Sequence, residues 1–185
     1  MTIEEVYFSV DIESSGPIPG EYSLLALGSC LVVDGILGPS EKFYRELKPL
    51  NANYVPRALE VSGFDMNRLV REGMEPVKAM ADFEGWILER SGRNRPIFLG
   101  FNATFDWSFV NWYFHKFLGR NPFGISGLDI KAYSMGKLSL RWGQTTKWQL
   151  NRKFRTIHKH THNALDDAVE QAELFNLILR SQRDQ

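Results

Sequence analysis

Residues 24–33 read L-L-A-L-G-S-C-L-V-V, a run without a single charge. So apolar a segment is consistent with a strand buried inside a sheet, which sets the class of fold available to the chain. The segment before it supplies a neighbour. From Val6 to Glu13, Val6, Phe8, Val10 and Ile12 alternate onto one face, as a strand requires. Ser14 to Gly20 then breaks the pattern with two Pro and two Gly. Asp34-Gly35 is a hairpin signal, so a third strand should return antiparallel over about Lys42 to Leu47.

Helices follow. Pro56 to Val61 is a short helical candidate ending near Gly63. Glu75 to Arg90 is a stronger one: Pro76 suits the first helical position, and Val77, Met80, Phe83 and Ile87 recur at helical spacing. Pro96 to Phe101 reads as a short buried strand. Asp106 to Leu118 is an aromatic helix with Phe109, Val110, Tyr113 and Phe117 on one face. A loop runs to about Gly127, and Asp129 to Met135 is a further short helix. Asn163 to about Ser181 is amphipathic, with Leu165, Ala168, Ala172, Phe175 and Leu179 in register. Strands joined by hairpins, then helices alternating with at least one more strand, predict a mixed α/β sheet with helices packed on it.

At 185 residues the chain fits one domain, residues 1–185, on a prior of roughly 100–200 residues per domain. Thirteen Phe and five Trp place it among globular proteins. Its 22 basic residues balance its 22 acidic ones, which argues against holding long nucleic acid by bulk charge alone. The lone Cys30, inside the apolar run, is expected to be a buried small residue. The acidic start, with no apolar stretch after it, and the lack of a span-length segment predict a cytoplasmic protein with no membrane association.

Three places carry chemistry. Asp11 and Glu13, two apart on a strand, share a face opposite Val10 and Ile12. Two such carboxylates repel unless a proton or a cation lies between them. Asp106 opens the aromatic helix, where the helix dipole alone favours an acid by ~0.3–1 kcal/mol. Asn102 precedes it as a cap, a brace or a plain loop residue. His162 stands just before the last helix and Asp167 within its first turns, close enough to converge. Asp166 and Asp167 point about 100° apart on that helix, and spacing alone leaves open which turns inward.

Taken together, these segments resemble the DEDDh 3′→5′ exonucleases, the group that includes polymerase proofreading subunits, ribonuclease T and oligoribonuclease. Asp11-Ile12-Glu13-Ser14-Ser15-Gly16 is similar to the first family motif, Asn102-Ala103-Thr104-Phe105-Asp106 to the second, and His162 with Asp167 five later to the third. The three occur in family order over about residues 6–180. This chain departs from the family at Phe101, where many members have His, at Ala26, where many have an acid, and at Ser14-Ser15, where Thr-Thr is frequent. The resemblance implies a ribonuclease H-like fold and selects Asp167 over Asp166. It further implies two ions, Mg²⁺ or Mn²⁺, on Asp11, Glu13, Asp106 and Asp167, about 3.5–4 Å apart. His162 is then the general base, and 5′-mononucleotides leave from the 3′ end of single-stranded DNA or RNA.

Substrate contacts are expected from Asn102, Ser14, Ile18 and Trp107. Ile18 is carried over as a wedge between terminal bases. Trp107, Trp112, Trp142 and Trp148 are candidates to stack bases, Trp107 foremost because it adjoins Asp106. Between Lys131 and Leu165 there is no acid but eight Lys and Arg, a surface suited to backbone phosphates or simply a solvated face. His158, His160 and His162 alternate and, on a strand, would share a face fit for a transition metal. Two other readings stand beside the exonuclease: a non-catalytic nucleic-acid or polymerase partner on the same fold, and a zinc protein built on the histidines. A homodimer is compatible with either enzyme or partner.

Overall fold

The computed structural model describes residues 4–33, 37–38 and 41–181. Strand β1, Glu5–Ser14, pairs antiparallel with β2, Leu24–Leu31, in a register that sets Asp11 opposite Gly28. β2 pairs antiparallel with β3, Lys42–Glu46. On the other side of β1, β4, Arg95–Gly100, runs parallel to it, and β5, Gly127–Asp129, runs parallel to β4. The order of these five strands is β3-β2-β1-β4-β5. β2 is buried along almost its whole length, as its uncharged run requires. The hairpin signal Asp34-Gly35 lies outside the described residues, but the β2–β3 pairing is the antiparallel return it announces.

Two helical layers cover the sheet. Phe8, Val10 and Ile12 of β1 and Phe98 of β4 point to one face. There they meet α3, Pro76–Ser91, through Ala79, Met80, Phe83 and Ile87, and α4, Thr104–Leu118, through Phe109, Val110, Tyr113 and Phe114. The Tyr113 hydroxyl accepts the Leu24 N–H at 2.7 Å, so even the aromatic layer is tied to the sheet by a polar bond. On the opposite face lie α5, Ile130–Lys137, and α7, Ala164–Arg180. Leu99, Ile130, Leu174, Phe175 and Ile178 pack there, and Cys30 is buried against Ala168.

Two expected stripes are displaced by a residue. Val77 is exposed, since the buried face of α3 follows Pro76, Ala79, Met80 and Phe83. Leu179 is likewise exposed on α7, where Ala164, Ala168, Phe175 and Ile178 face inward. Two helices and a strand were not expected from the sequence. α1, Pro56–Ser62, is followed by the unforeseen α2, Met66–Glu72, started by the Asp65 carboxylate on the N–H groups of Asn67 and Arg68. β5 and α6, Lys147–Phe154, are the others. No helix among the described residues is long and apolar enough to cross a membrane.

Candidate active site

Pairing between β1 and β4 ends at Ser9 and Leu99, while β1 runs on to Ser14. The sheet therefore splits open beyond the carboxyl end of β4, the position where open α/β sheets place their crevices. Asp11 and Glu13 lie in this split, on the face toward α7. Gly28 opposite Asp11 brings α7 close: a Cβ there would collide with the backbone of Ala164 and Leu165. The first turns of α7 thus rest on the sheet. Asp167, fully buried, comes to the two strand acids, and ligand oxygens of Asp11, Glu13 and Asp167 lie within 4.8 Å of one another. Asp106 approaches from the other layer. Its Oδ1 accepts the Ile12 N–H at 3.1 Å, a strand amide beyond the last β1–β4 pair.

This cluster is electrostatically loaded. Burial, then repulsion from Asp106, holds the Asp11 carboxyl well above its usual range, although Lys147 opposes the shift. Burial and the charges of Asp167 and Asp106 push Glu13 up to about 7. Asp106 rises to about 7 chiefly by burial, against the Ile12 hydrogen bond that lowers it. The cleft these groups line has a volume of about 580 Å³ and is completed by Phe101, Asn102, Phe105, Lys131, Thr146, Lys147, His160 and His162. A second cavity of about 380 Å³, between the end of β2 and α7, contains none of the four acids.

The acids are braced by groups that no motif marked. Gln171, buried on α7, donates its Nε2 to Asp11 Oδ1 and accepts the Phe101 N–H at 2.9 Å on Oε1. Glu170, 1 % exposed, accepts from Lys147 Nζ at 3.1 Å and from Asn151 Nδ2. It thereby docks α6 on α7 and places the Lys147 ammonium at the cleft. Asp129, ending β5, accepts Ala103 N–H and Ala132 N–H, each at 2.6 Å, and so holds the starts of α4 and α5 together. The sequence signal for Glu170 and Gln171 was their position: two polar residues on the face of α7 that Asp167 also occupies, one helical turn on.

The histidines separate. His158 pairs its Nδ1 with Glu173 at 2.7 Å and lines the second cavity. His160 and His162 lie together at the cleft, rings 4.3 Å apart. The shared face imagined for all three does not form, because residues 155–163 are not a strand. Asp167 replaces His158 instead, and forms a second close group with His160 and His162. Asp167 Oδ1 accepts Thr161 N–H at 2.7 Å, while Oδ2 accepts His162 N–H at 3.0 Å and lies 2.9 Å from His160 Nδ1. His162 has a φ of 60° and Asn102 one of 57°. Both are types that tolerate the left-handed region, and both line the cleft.

The expected substrate contacts divide. Asn102 lines the cleft but its side chain does not cap α4, whose N-cap is Ala103. Ser14 is buried and donates its hydroxyl to Gly16 O, shaping the turn. Ile18 is exposed outside the lining residues. Trp107 packs edge-on against Phe98 of the core, ring centroids 5.2 Å apart. The cleft aromatic of α4 is its neighbour-but-one Phe105, 41 % exposed. Trp112 also packs on core rings, while Trp142 and Trp148 face outward.

With this geometry in view, the relatives agree. Residues 8–175 match the family described as Exonuclease, of the RNase T type. The chain is 43% identical over 178 residues to the 3′-5′ DNA exonuclease Cap18 of Escherichia coli, covering 96% of this chain and 93% of that protein. It is 30% identical to the ribonuclease T of Haemophilus influenzae, over 96% of this chain and 82% of that one. Among solved structures, the nuclease domain of 3′hExo, a DEDDh family member bound to rAMP, superimposes with a TM-score of 0.76 at 14% identity, covering 95% of this chain and 92% of that chain. Escherichia coli exonuclease I in complex with a dT13 oligonucleotide gives 0.73 at 15%, covering 96% of this chain. The chain spans 62% of a full-length 3′-exonuclease structure and 41% of that exonuclease I chain. A family match over residues 8–175 and a relative 43% identical over nearly its whole length make this chain a member of the RNase T-type exonuclease family, with the fold of a DEDDh nuclease domain.

Proposed function

We propose that this chain hydrolyses single-stranded nucleic acid from the 3′ end and releases 5′-mononucleotides. The observation that carries this reading is the cluster itself: four carboxylates, Asp106 and Asp167 buried and Asp11 and Glu13 half-buried, three of them with raised pKa values, gathered at an open cleft. Such an assembly is unfavourable alone and favourable around divalent cations. The donor set fits a hard ion, Mg²⁺ or Mn²⁺, because all four ligands offer oxygen. Asp11, Glu13, Asp106 and Asp167 would hold two such ions. Bound there, the ions supply charge neutralisation for the attacking and leaving oxygens of an in-line displacement.

The chain's own residues do the rest. Gln171 fixes the orientation of Asp11. The Asp167 clasp on the backbone of Thr161 and Asn163's neighbour His162 holds that loop against the cleft. The His162 imidazole accepts the proton of the attacking water, the role that histidine fills most often among side chains. Phe105 and Asn102 border the place for the terminal nucleotide. The 43% identity to a protein named as a DNA exonuclease supports DNA as the first substrate, with RNA as the comparison.

The test is a cleavage ladder on 5′-labelled DNA and RNA strands with Mg²⁺ or Mn²⁺. Stepwise shortening from the 3′ end, abolished by EDTA and by Asp11→Asn or Asp167→Asn, is expected. His162→Ala should lower kcat about 10²–10⁴-fold. Near-normal turnover in both Asp variants would overturn the assignment.

A further inference from the structure

Ions on the four carboxylates would neutralise the cleft alone, so the phosphates of a strand beyond it need cations of their own. The other wall of the cleft carries Lys131, Thr146 and Lys147. Two tryptophans adjoin that wall and stay exposed, Trp142 at 54% and Trp148 at 67%. Each is covered on one side by a cation. Lys131 Nζ lies 3.9 Å from the Trp142 ring centroid, and Arg152 Cζ lies 5.4 Å from that of Trp148. No Asp or Glu occurs between Lys131 and Leu165. The wall is held in place: Lys147 and Asn151 of α6 both bind the buried Glu170 of α7.

Two exposed aromatic rings, each paired with a cation, one pair sharing Lys131 with the cleft and the other following Lys147 of the cleft in sequence, fit one kind of occupant. Every base offers a π-face to stack on such a ring, and every linkage a phosphate for the neighbouring cation. We infer that Trp142 and Trp148, with Lys131 and Arg152, form a platform that binds the single strand upstream of the scissile bond. This rests on the exonuclease reading and adds where the uncleaved part of the strand runs. It makes the enzyme discriminate by length: a long strand reaches the platform, whereas a dinucleotide ends in the cleft.

The experiment compares wild type, Trp142→Ala, Trp148→Ala and the double variant. Substrates are a chromogenic mononucleotide ester, a dinucleotide and a long single-stranded homopolymer, all with Mn²⁺. On the homopolymer, each substitution should raise KM between about fivefold and a hundredfold, the range for loss of one stacked base. On the ester and the dinucleotide kcat and KM should not move. Arg152→Glu should steepen the loss as salt is lowered relative to wild type. An unchanged homopolymer KM in the double variant overturns the platform, as does an equal loss on the dinucleotide. Should the wild type cleave none of the substrates, the exonuclease reading fails separately. The platform is then judged by homopolymer quenching of tryptophan fluorescence, which must vanish in the double variant.

Discussion

Gln171 fixes one oxygen of Asp11, and burial beside Asp106 disfavours the charge on that carboxyl. Gln171 is not among the residues lining the cleft; on the proposed reading it orients a metal ligand, and partners of that kind typically contribute 10–100-fold to metal affinity or activity. Gln171→Leu should therefore raise the Mg²⁺ concentration needed for half-maximal activity by about 10- to 100-fold, with kcat largely recovered at saturating Mg²⁺. Activity that falls with no change in that midpoint would assign Gln171 to folding alone. At this scale the sequence was readable where a motif spaced the acids, and unreadable where support came from across the fold. Asp11 and Glu13 declare themselves on one strand. Gln171 reaches Asp11 across 160 positions, and Lys147 reaches the cleft only because Glu170 on another helix receives it. Trp107 stands apart for the same reason: adjacency to Asp106 said nothing of Phe98, against which the half-buried indole packs.

The elements most visible in advance are those with long apolar patterns. β1, β2, α3, α4 and α7 each bury several residues in register. α2 buries only Leu69 and α6 only Leu150, so neither writes a period into the chain. For α6 the available sign was local, Thr146 accepting the Gln149 N–H at 3.3 Å as an N-cap. β5, three residues long, is defined by its neighbour β4 and not by its own composition. What joins elements can be as small as a missing side chain. Gly28 lets α7 sit on β2, and an added methyl meets backbone, which cannot rotate away. Gly28→Ala should cost about 1–3 kcal/mol or more, as overpacking does, and should lower Tm by several degrees. Activity should drop with it, because Asp167 rides on α7. A variant with wild-type Tm and rate would show that the layers part without consequence.

For the molecule as a whole, the acid cluster links stability to protons and cations. Glu13 and Asp106 have folded pKa values raised to about 7, against about 4 in an unfolded chain. A raised value means the folded state binds the extra protons. The associated stability is present below about pH 4 and is lost as pH climbs through about 7. In EDTA, Tm should fall over this window, apart from any acid unfolding at its lower end. Adding Mg²⁺ should raise Tm more above the window than below it. A Tm in EDTA that is flat or rising across the window, or an Mg²⁺ effect independent of pH, would contradict this coupling. One bond carries the same chemistry between layers. The Ile12 amide belongs to the sheet, yet its hydrogen bond goes to Asp106 on α4. Whatever Asp106 binds, that single N–H registers it. In an NMR spectrum of ¹⁵N-labelled protein, the Ile12 signal should move with a midpoint near 7 in EDTA and cease to titrate when Mg²⁺ is saturating. The backbone thereby contains a built-in indicator, one resonance reporting whether the acid cluster holds a proton or an ion.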